Sequence, residues 1–467
     1  MNSVWQRLTL NHLALHKWRQ GSYLWHLVGL LRPWGAASWF LPWGTEIAVA
    51  LLSLVFSLAP FVPNNMIGVI LVACGGFWAL LTLVDLPAVR GRVTPIHLLV
   101  VLYWGIATIA TFLSPVRSAA MVGLSKLTLY LVFFALIERV IRSPRWRSCL
   151  ITVYLHIALI VSVEAIRQWF FGAPPLATWT DPESTLSNTT RVYSYLGNPN
   201  LLAGYLLPAI PLSGAAIFAW RGWIPKLLAV GMLGLNTASL ILTFSRGGWL
   251  GLVVTLFVSA LLGLYWLLPR LPRFWQLWAV PLLLGSLTVV VVLAVLFVPP
   301  VRDRVASIFV SREDSSNNFR INVWAAVQAM IRDRPWLGIG PGNTAFNKIY
   351  PLYQRPGFTA LGAYSIYLEI LVEVGLIGFS VFIWLLLTLL GWGWNQIQRL
   401  RQENSREIFW LMAAIATVFG MLIHGAVDTI WYRPEVATLW WFMVAIITSY
   451  STSPNANPTP PTLTEQH

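Results

Sequence analysis

The sequence predicts an all-α membrane protein that crosses the bilayer about twelve times. Of the 467 residues, 57% are hydrophobic and only 10% are charged, whereas soluble domains carry about 25% charged residues. Apolar runs of about 20 residues, the length of a bilayer-spanning helix, recur along the whole chain. The sequence lacks the alternating strands that a membrane β-barrel requires.

Each apolar run is assigned to one predicted span. The first and last runs are short and are flanked or interrupted by proline, so ten or eleven spans remain open. The predicted spans are residues 43–62, 66–84, 95–113, 119–137, 149–170, 199–219, 224–244, 247–268, 276–298, 365–391, 408–427 and 434–450.

These spans divide the chain into five regions. Residues 1–42, rich in Trp, Leu and His, are expected to lie along the cytoplasmic membrane surface. Spans 1–9 occupy residues 43–298, an extracytoplasmic loop occupies 299–363, and spans 10–12 occupy 364–450. The tail at 451–467 is rich in Pro, Thr and Asn and is expected to be disordered.

The orientation follows from the basic residues in the connections. One set of connections holds seventeen lysines and arginines, and the short connections of the other set hold five. Basic residues accumulate in short cytoplasmic loops. We therefore expect an inner (plasma) membrane protein with both termini in the cytoplasm.

The net charge of +14 does not predict a nucleic-acid partner. Most of the positive charge falls in loops between spans, without a basic stripe interleaved with aromatic residues. Cys74 lies within a span and Cys149 at the edge of another, so neither a disulfide framework nor a cysteine metal site is expected. The chain has no Walker or dinucleotide fingerprint, and we expect no cofactor and no bound metal.

The loop at 299–363 holds a predicted amphipathic helix at 318–332. The loop has eight basic and four acidic residues, a positive balance that the topology does not explain. Two interpretations remain open: the loop attracts an anionic ligand, or it is solvated and forms internal ion pairs.

Two arginines are candidate anion ligands. Arg246 lies in TFSRGGWLG, a hairpin that holds it at the membrane face between two spans, and Arg320 lies near the start of the loop helix. A guanidinium group binds phosphate or carbonate as a bidentate fork. The alternative for Arg246 is an anchor that reaches from the bilayer to its surface.

A third candidate anion site lies in RVYSYLGNPNLLAGYL. Asn198 is the expected cap of a helix, and the free N–H groups of that helix start, with Arg191 nearby, favour an anion. A plain helix cap is the alternative.

Five of the ionisable side chains within or at the end of predicted spans are candidates for a structural or a coupling role. They are Lys126, Glu369, Glu373, His424 and Asp428. Lys126 is expected to pair with one of the two glutamates, which share a helix face because they are four residues apart. His424 and Asp428 are also four apart, so we expect a structural hydrogen bond or a proton relay between them.

Four segments carry a resemblance to a known family. They are RVYSYLGNPNLLAGYL, TFSRGGWLG, EDSSNNFRINVWAAVQAMIRDRPWLGIGPGNTAFN and HGAVDTIWYRPE. Together they closely resemble the cyanobacterial inorganic-carbon-transport protein B (IctB) family, whose members are described as bicarbonate transporters. The wider superfamily that the chain resembles contains the O-antigen ligases and polymerases, which have about a dozen spans and a large outer loop.

The resemblance implies roles for particular residues. In the ligases, arginines in the positions of Arg246 and Arg320 are thought to bind the diphosphate of a polyprenyl-linked sugar. A His-Asn pair then precedes a Gly-x-x-Gly motif; this chain keeps the glycines at 375 and 378 but has Tyr364 and Ser365 in place of His-Asn. Tyrosine is a poor general base at neutral pH, so the resemblance leaves enzymatic activity open and favours none.

Three functions follow as hypotheses. The first is bicarbonate transport through an arginine-lined outer mouth, with Glu369 and Glu373 as structural charges or as a site for a coupling cation. The second is ligase-type transfer from a polyprenyl-diphosphate-linked glycan, with Glu369 or Tyr364 in the catalytic role. The third is a non-catalytic accessory subunit of a carbon uptake system. The bilayer is the one certain partner, and the sequence predicts no oligomeric state.

Overall fold

The computed structural model describes residues 7–10, 28–84, 93–174, 191–297, 302 and 315–450. These residues form α-helices, short 3-10 helices and turns, without any β-strand. In chain order the α-helices are α1 (Arg32–Ala37), α2 (Gly44–Leu58), α3 (Asn64–Leu83), α4 (Pro95–Phe112), α5 (Arg117–Ile141), α6 (Pro144–Phe171), α7 (Pro199–Leu206), α8 (Ala209–Ala219), α9 (Trp223–Leu242), α10 (Arg246–Leu267), α11 (Arg273–Phe297), α12 (Ser315–Asp333), α13 (Asn343–Ile349), α14 (Ile366–Gln402), α15 (Ile408–Ala426) and α16 (Pro434–Ser449).

Helices lie at all twelve predicted spans. Among the described residues, ten helical segments are long and apolar enough to cross a membrane, with α7 and α8 counted as one. The other two predicted spans correspond to α11, which has 25 residues, and α16, a shorter apolar helix of 16 residues. The predicted all-α membrane fold is therefore confirmed.

Two of the spans differ from the continuous helices that the sequence predicts. The span at 199–219 is divided into α7 and α8 at Pro208, which has no N–H to donate to the helical ladder. The helix that begins at Ile366 ends at Gln402 rather than at residue 391, and its backbone leaves helical geometry at Gly375 (φ 66°, ψ −171°).

The break at Gly375 is filled by main chain from the preceding loop. On one side of the break, the Leu376 N–H donates to the Pro335 carbonyl at 2.7 Å. On the other side, the Val372 carbonyl accepts from the Ile339 N–H at 2.9 Å. Because these backbone groups are satisfied by the loop, the helix can be broken within an apolar bundle.

The same loop also contacts α5. Gly123 presents bare backbone to Pro341 and Gly342, and a side chain at this position would overlap the Pro341 carbonyl. The loop turn is therefore held between α5 and α14, and this contact fixes the residues that follow the turn at the end of the bundle.

The centre of the bundle consists of α15 and α16. Every residue of α16 is buried. Helix α10 packs closely against α15 through small residues: a side chain at Gly251 would meet the Gly420 carbonyl at 2.8 Å. Small residues at such crossings allow two helix backbones to approach closely in a membrane. This contact positions the first turn of α10 beside the last turn of α15.

The loop helix predicted at 318–332 extends from Ser315 to Asp333 as α12. Its apolar face buries Val323, Val327 and Met330 in a separate small core with residues of α13 and of the start of α14. This packing holds α12 across the end of the bundle and aims its first turn at α10 and α15.

Several predictions from the sequence concern residues outside the described ranges. The tail at 451–467 and most of residues 1–27 are among them. The cytoplasmic surface segment, the disordered tail and the orientation of the termini therefore stay predictions.

Candidate functional site

Three arginines from separate parts of the chain line one polar pocket of about 40 Å³, here called the arginine pocket. Arg191 precedes α7, Arg246 is the first residue of α10, and Arg320 lies in the first half of α12. The other lining residues are Asn200, Ser245, Gly247, Val427 and Asp428. The structure thus brings together the three arginines that the sequence offered as separate anion ligands.

Backbone and amide oxygens hold two of these guanidinium groups in place. The Arg191 Nε donates to the Thr243 carbonyl at 3.0 Å, and its Nη2 lies 3.4 Å from Asn200 Oδ1. The Arg320 Nε donates to the Val427 carbonyl at 3.0 Å. These contacts fix both guanidinium groups at the wall of the pocket.

The third arginine is oriented from the loop helix. Arg246 Nη1 donates to Asn317 Oδ1 at 2.8 Å, which ties the start of α10 to the start of α12. Ser245 caps α10, its Oγ accepting from the Gly248 N–H at 3.1 Å. The first turn of a capped helix presents N–H groups and a partial positive charge, which favour an anion at this place.

The electrostatics of the pocket reflect three cations around one carboxylate. Burial, and then the charges of Arg246 and Arg320, lower the pKa of Arg191 to about 10. Burial raises the pKa of Asp428, although Arg320 and Arg191 oppose that shift. Neighbouring guanidinium groups repel one another and lower one another's pKa. A bound anion reduces this repulsion.

Asn198 does not line the arginine pocket. Its side-chain oxygen accepts from the Asn200 N–H at 2.8 Å and from the Leu201 N–H at 3.4 Å, so it acts as the cap of α7. The neighbouring Asn200 side chain faces the pocket instead. The capping alternative is thus the role that Asn198 has in this structure.

Tyr364 stands at the start of α14 in a left-handed conformation with φ of 50°. Its ring packs edge-on against Phe319 at 5.4 Å. Burial, followed by the charge of Asp428 and the neighbouring Tyr432, raises the pKa of Tyr364 to about 12. The phenol is therefore neutral at physiological pH and is a poor base.

A second cavity of about 170 Å³, here called the aromatic cavity, lies within the bundle. Glu369, Glu373, Lys126 and Thr429 line it. Its aromatic walls comprise Tyr103, Tyr130, Phe382, Trp431, Tyr432, Trp440 and Trp441. Asp428 lines the arginine pocket and the next residue lines the aromatic cavity, so the two spaces flank one stretch of backbone.

The predicted pairing of Lys126 with a glutamate is wrong for this structure. Glu369 Oε2 accepts from the Ala363 N–H at 2.5 Å, and Glu373 Oε1 accepts from the Gly342 N–H at 2.6 Å. Among the described residues, Lys126 forms no ion pair with either carboxylate. The docked loop supplies the backbone donors that the sequence could not place, and Lys126 stays exposed.

The predicted hydrogen bond between His424 and Asp428 is also absent from the described part of the chain. His424 is fully buried against Gly247, and neither of its ring nitrogens has a hydrogen-bond partner there. The i,i+4 spacing fails because α15 ends at Ala426, and Asp428 instead accepts from the Thr429 N–H at 2.8 Å.

Sequence reasoning missed Asn200 and Ser245 as lining residues of the arginine pocket. The serine directly before an arginine at the start of a span is a readable helix-cap signal. The asparagine gives no such signal. Within the described ranges, no group of three His, Cys, Asp or Glu side chains could hold a metal ion.

Residues 229–383 of the chain match the O-antigen ligase family. This segment contains Arg246, Arg320 and Tyr364, whereas Arg191 and Asp428 lie outside it. No curated protein matches the chain. The chain is therefore a membrane protein with an O-antigen ligase-like segment, and no comparison supports the predicted bicarbonate transport.

Proposed function

We propose that this protein is an O-antigen ligase-type transferase that binds the diphosphate of a polyprenyl-linked glycan in the arginine pocket. The observation that carries the proposal is the convergence of Arg191, Arg246 and Arg320 on one pocket. Two of the three lie within the segment that matches the ligase family.

The charge of the pocket suits a diphosphate better than bicarbonate. The three lining arginines and Asp428 carry a formal net charge of +2. A diphosphate esterified at both ends carries two negative charges, whereas bicarbonate carries one. Guanidinium groups also match the paired oxygens of phosphate, and the start of α10 adds N–H donors.

The position of the pocket suits an amphiphile. It lies beside the first turn of α10 and beyond the last turn of α15, at the ends of two membrane-spanning helices. A polyprenyl diphosphate has its charged group at the membrane surface and its chain among the lipids, so both ends of the molecule find a suitable surrounding here.

Transfer requires a group that takes the proton of the acceptor hydroxyl. The hydroxyl oxygen forms the new bond to the sugar, the bond between the sugar and the diphosphate breaks, and polyprenyl diphosphate leaves. Tyr364 is a weak candidate because its phenol is neutral and its pKa is raised to about 12. Asp428, a buried carboxylate in the pocket with a raised pKa, is the better proton acceptor.

Binding of undecaprenyl diphosphate to the purified protein in a nonionic detergent tests the proposal. Because charge-assisted hydrogen bonds contribute about 1.5–3 kcal/mol, Arg320→Ala should raise the Kd about 10- to 100-fold. Arg332→Ala changes an exposed arginine of the same helix and should leave the Kd unchanged. Equal affinity of the wild-type protein and Arg320→Ala would contradict the proposal.

Bicarbonate transport and the accessory role stay predictions from the resemblance. Uptake of labelled bicarbonate by the protein in sealed liposomes, lost in Arg320→Ala, would favour transport over transfer. If undecaprenyl diphosphate binds while bicarbonate neither enters the liposomes nor competes, transfer is favoured.

A further inference from the structure

The aromatic cavity contains buried polar groups that protein partners do not fully satisfy. Glu369 is 7% exposed and Thr429 is 6% exposed. Each of the two glutamates bonds one loop N–H through one oxygen. Among the described residues, Glu369 Oε1 and Thr429 Oγ1 form no hydrogen bond of ordinary geometry; both lie beside Gly362, where the two side chains interact with each other. Such groups are costly in an apolar interior unless a ligand meets them.

Three acidic or basic side chains line the cavity, and with all three ionised their formal net charge is −1. Two are the carboxylates of Glu369 and Glu373, and the third is the ammonium of Lys126. The carboxylates are one helical turn apart on the same face and repel each other in a low-dielectric surrounding. A single cation within the cavity would balance the charge.

The walls of the cavity suit a cation that carries alkyl groups. Seven aromatic side chains line it, and the ring centroids of Trp431 and Trp440 lie 4.0 Å apart at an angle of 32°. Aromatic faces attract cations and also bind apolar substituents, which is how aromatic cages recognise alkylated ammonium groups.

Two other occupants fit less well. A lipid tail would place hydrocarbon against the two carboxyl groups of Glu369 and Glu373. A divalent metal ion prefers a shell of oxygen or nitrogen ligands, and the described residues contain no cluster of three ionisable ligands.

We propose that the aromatic cavity binds one alkylammonium group, with the charged nitrogen near Glu369 and Glu373 and its substituents against the tryptophans. The cavity holds about 170 Å³, and a protein cavity of roughly 150 Å³ accepts benzene, so the cavity has room for a trimethylammonium group. The proposal does not depend on glycan transfer, because it concerns a different cavity from the arginine pocket.

Isothermal titration of the purified chain in a maltoside detergent tests the proposal with choline as the probe. The matched ligand is 3,3-dimethylbutan-1-ol, which has the shape of choline but no charge. Choline should bind one per chain, and the neutral alcohol should bind at least about tenfold more weakly because it lacks the cation–π and carboxylate attraction. Equal affinities would overturn the proposal, and so would absence of choline binding to the folded protein.

Two variants identify the groups responsible. Glu369→Gln keeps an oxygen for the Ala363 N–H and should weaken choline binding about tenfold or more. Glu403→Gln, at an exposed position after the same helix, is the control and should have no effect. Trp441→Leu keeps apolar volume but removes a ring, so it should weaken choline and spare the alcohol. If neither Glu369→Gln nor Trp441→Leu alters choline binding, the site is elsewhere and the proposal fails.

The natural ammonium group has two chemical sources, a soluble amine or a lipid headgroup. Competition between choline and a short-chain phosphatidylethanolamine in the same micelles separates them. Displacement of choline assigns a headgroup site, in which the lipid phosphate would lie towards the exposed Lys126. Choline binding without displacement assigns a soluble amine. Both outcomes support an alkylammonium site.

Discussion

Replacement of Gly375 by alanine should destabilise the protein, because the added methyl group both strains the backbone and overlaps a neighbouring segment. The backbone has φ of 66° and ψ of −171°, a region that is essentially limited to glycine and costs other residues about 1–3 kcal/mol. A methyl group would also overlap the backbone of Trp336, and overpacking adds about 1–3 kcal/mol. After about 0.4–1 kcal/mol is regained from the less flexible unfolded chain, we expect a net loss of about 1–5 kcal/mol.

The free energy of unfolding in mixed micelles, titrated with a denaturing detergent, measures this loss. Gly105→Ala is the matched control, since it adds the same methyl group to a membrane helix where nothing lies within 4 Å. It should be neutral or stabilise by up to about 1 kcal/mol. The reasoning is refuted if Gly375→Ala unfolds like the wild-type protein, or if both variants lose the same stability.

Three further predictions concern other contacts of the bundle. Gly123→Ala should cost about 1–3 kcal/mol in the same unfolding assay, because its methyl group would overlap the Pro341 carbonyl. Glu407→Gln should cost about 3 kcal/mol there, because it leaves the guanidinium of Arg147, only 2% exposed, without its carboxylate partner. Sulfate keeps its charge at high pH and binds only to charged guanidinium, and the pKa of Arg191 is about 10. The affinity of the protein for sulfate, measured by calorimetry, should therefore be constant between about pH 7 and 9. It should fall as the pH rises through about 10.

Hydropathy was sufficient to predict the helices because each span must bury its own backbone polar groups in the bilayer. It did not predict the break in α14, since Gly375 is one of many glycines in the spans. The conformation of Gly375 depends on the docking of residues 335–342, a tertiary contact that hydropathy does not report. The same loop explains why Lys126 lacks the glutamate partner that the sequence predicted. Its Ala363 and Gly342 N–H groups occupy the carboxylates that the sequence assigned to the lysine.

Spacing along a helix gave mixed results at the candidate sites. The i,i+4 rule correctly places Glu369 and Glu373 together on one cavity wall. It fails for His424 and Asp428, because helix α15 ends between them. The convergence of the arginines could be suspected from their residue type and positions, but only tertiary packing of α10, α12 and the segment before α7 joins them.

The loop that fills the break in α14 also sets an order for the biosynthesis of the chain. Until residues 335–342 dock, the two halves of α14 expose backbone donors and acceptors at Gly375 that the lipid cannot satisfy. The loop leaves the ribosome before the helix does, so its hydrogen-bonding groups are already available when α14 enters the membrane. The first half of α14 therefore becomes stable in the bilayer as part of a unit with the loop, and this unit supplies the wall of the aromatic cavity that carries Glu369 and Glu373.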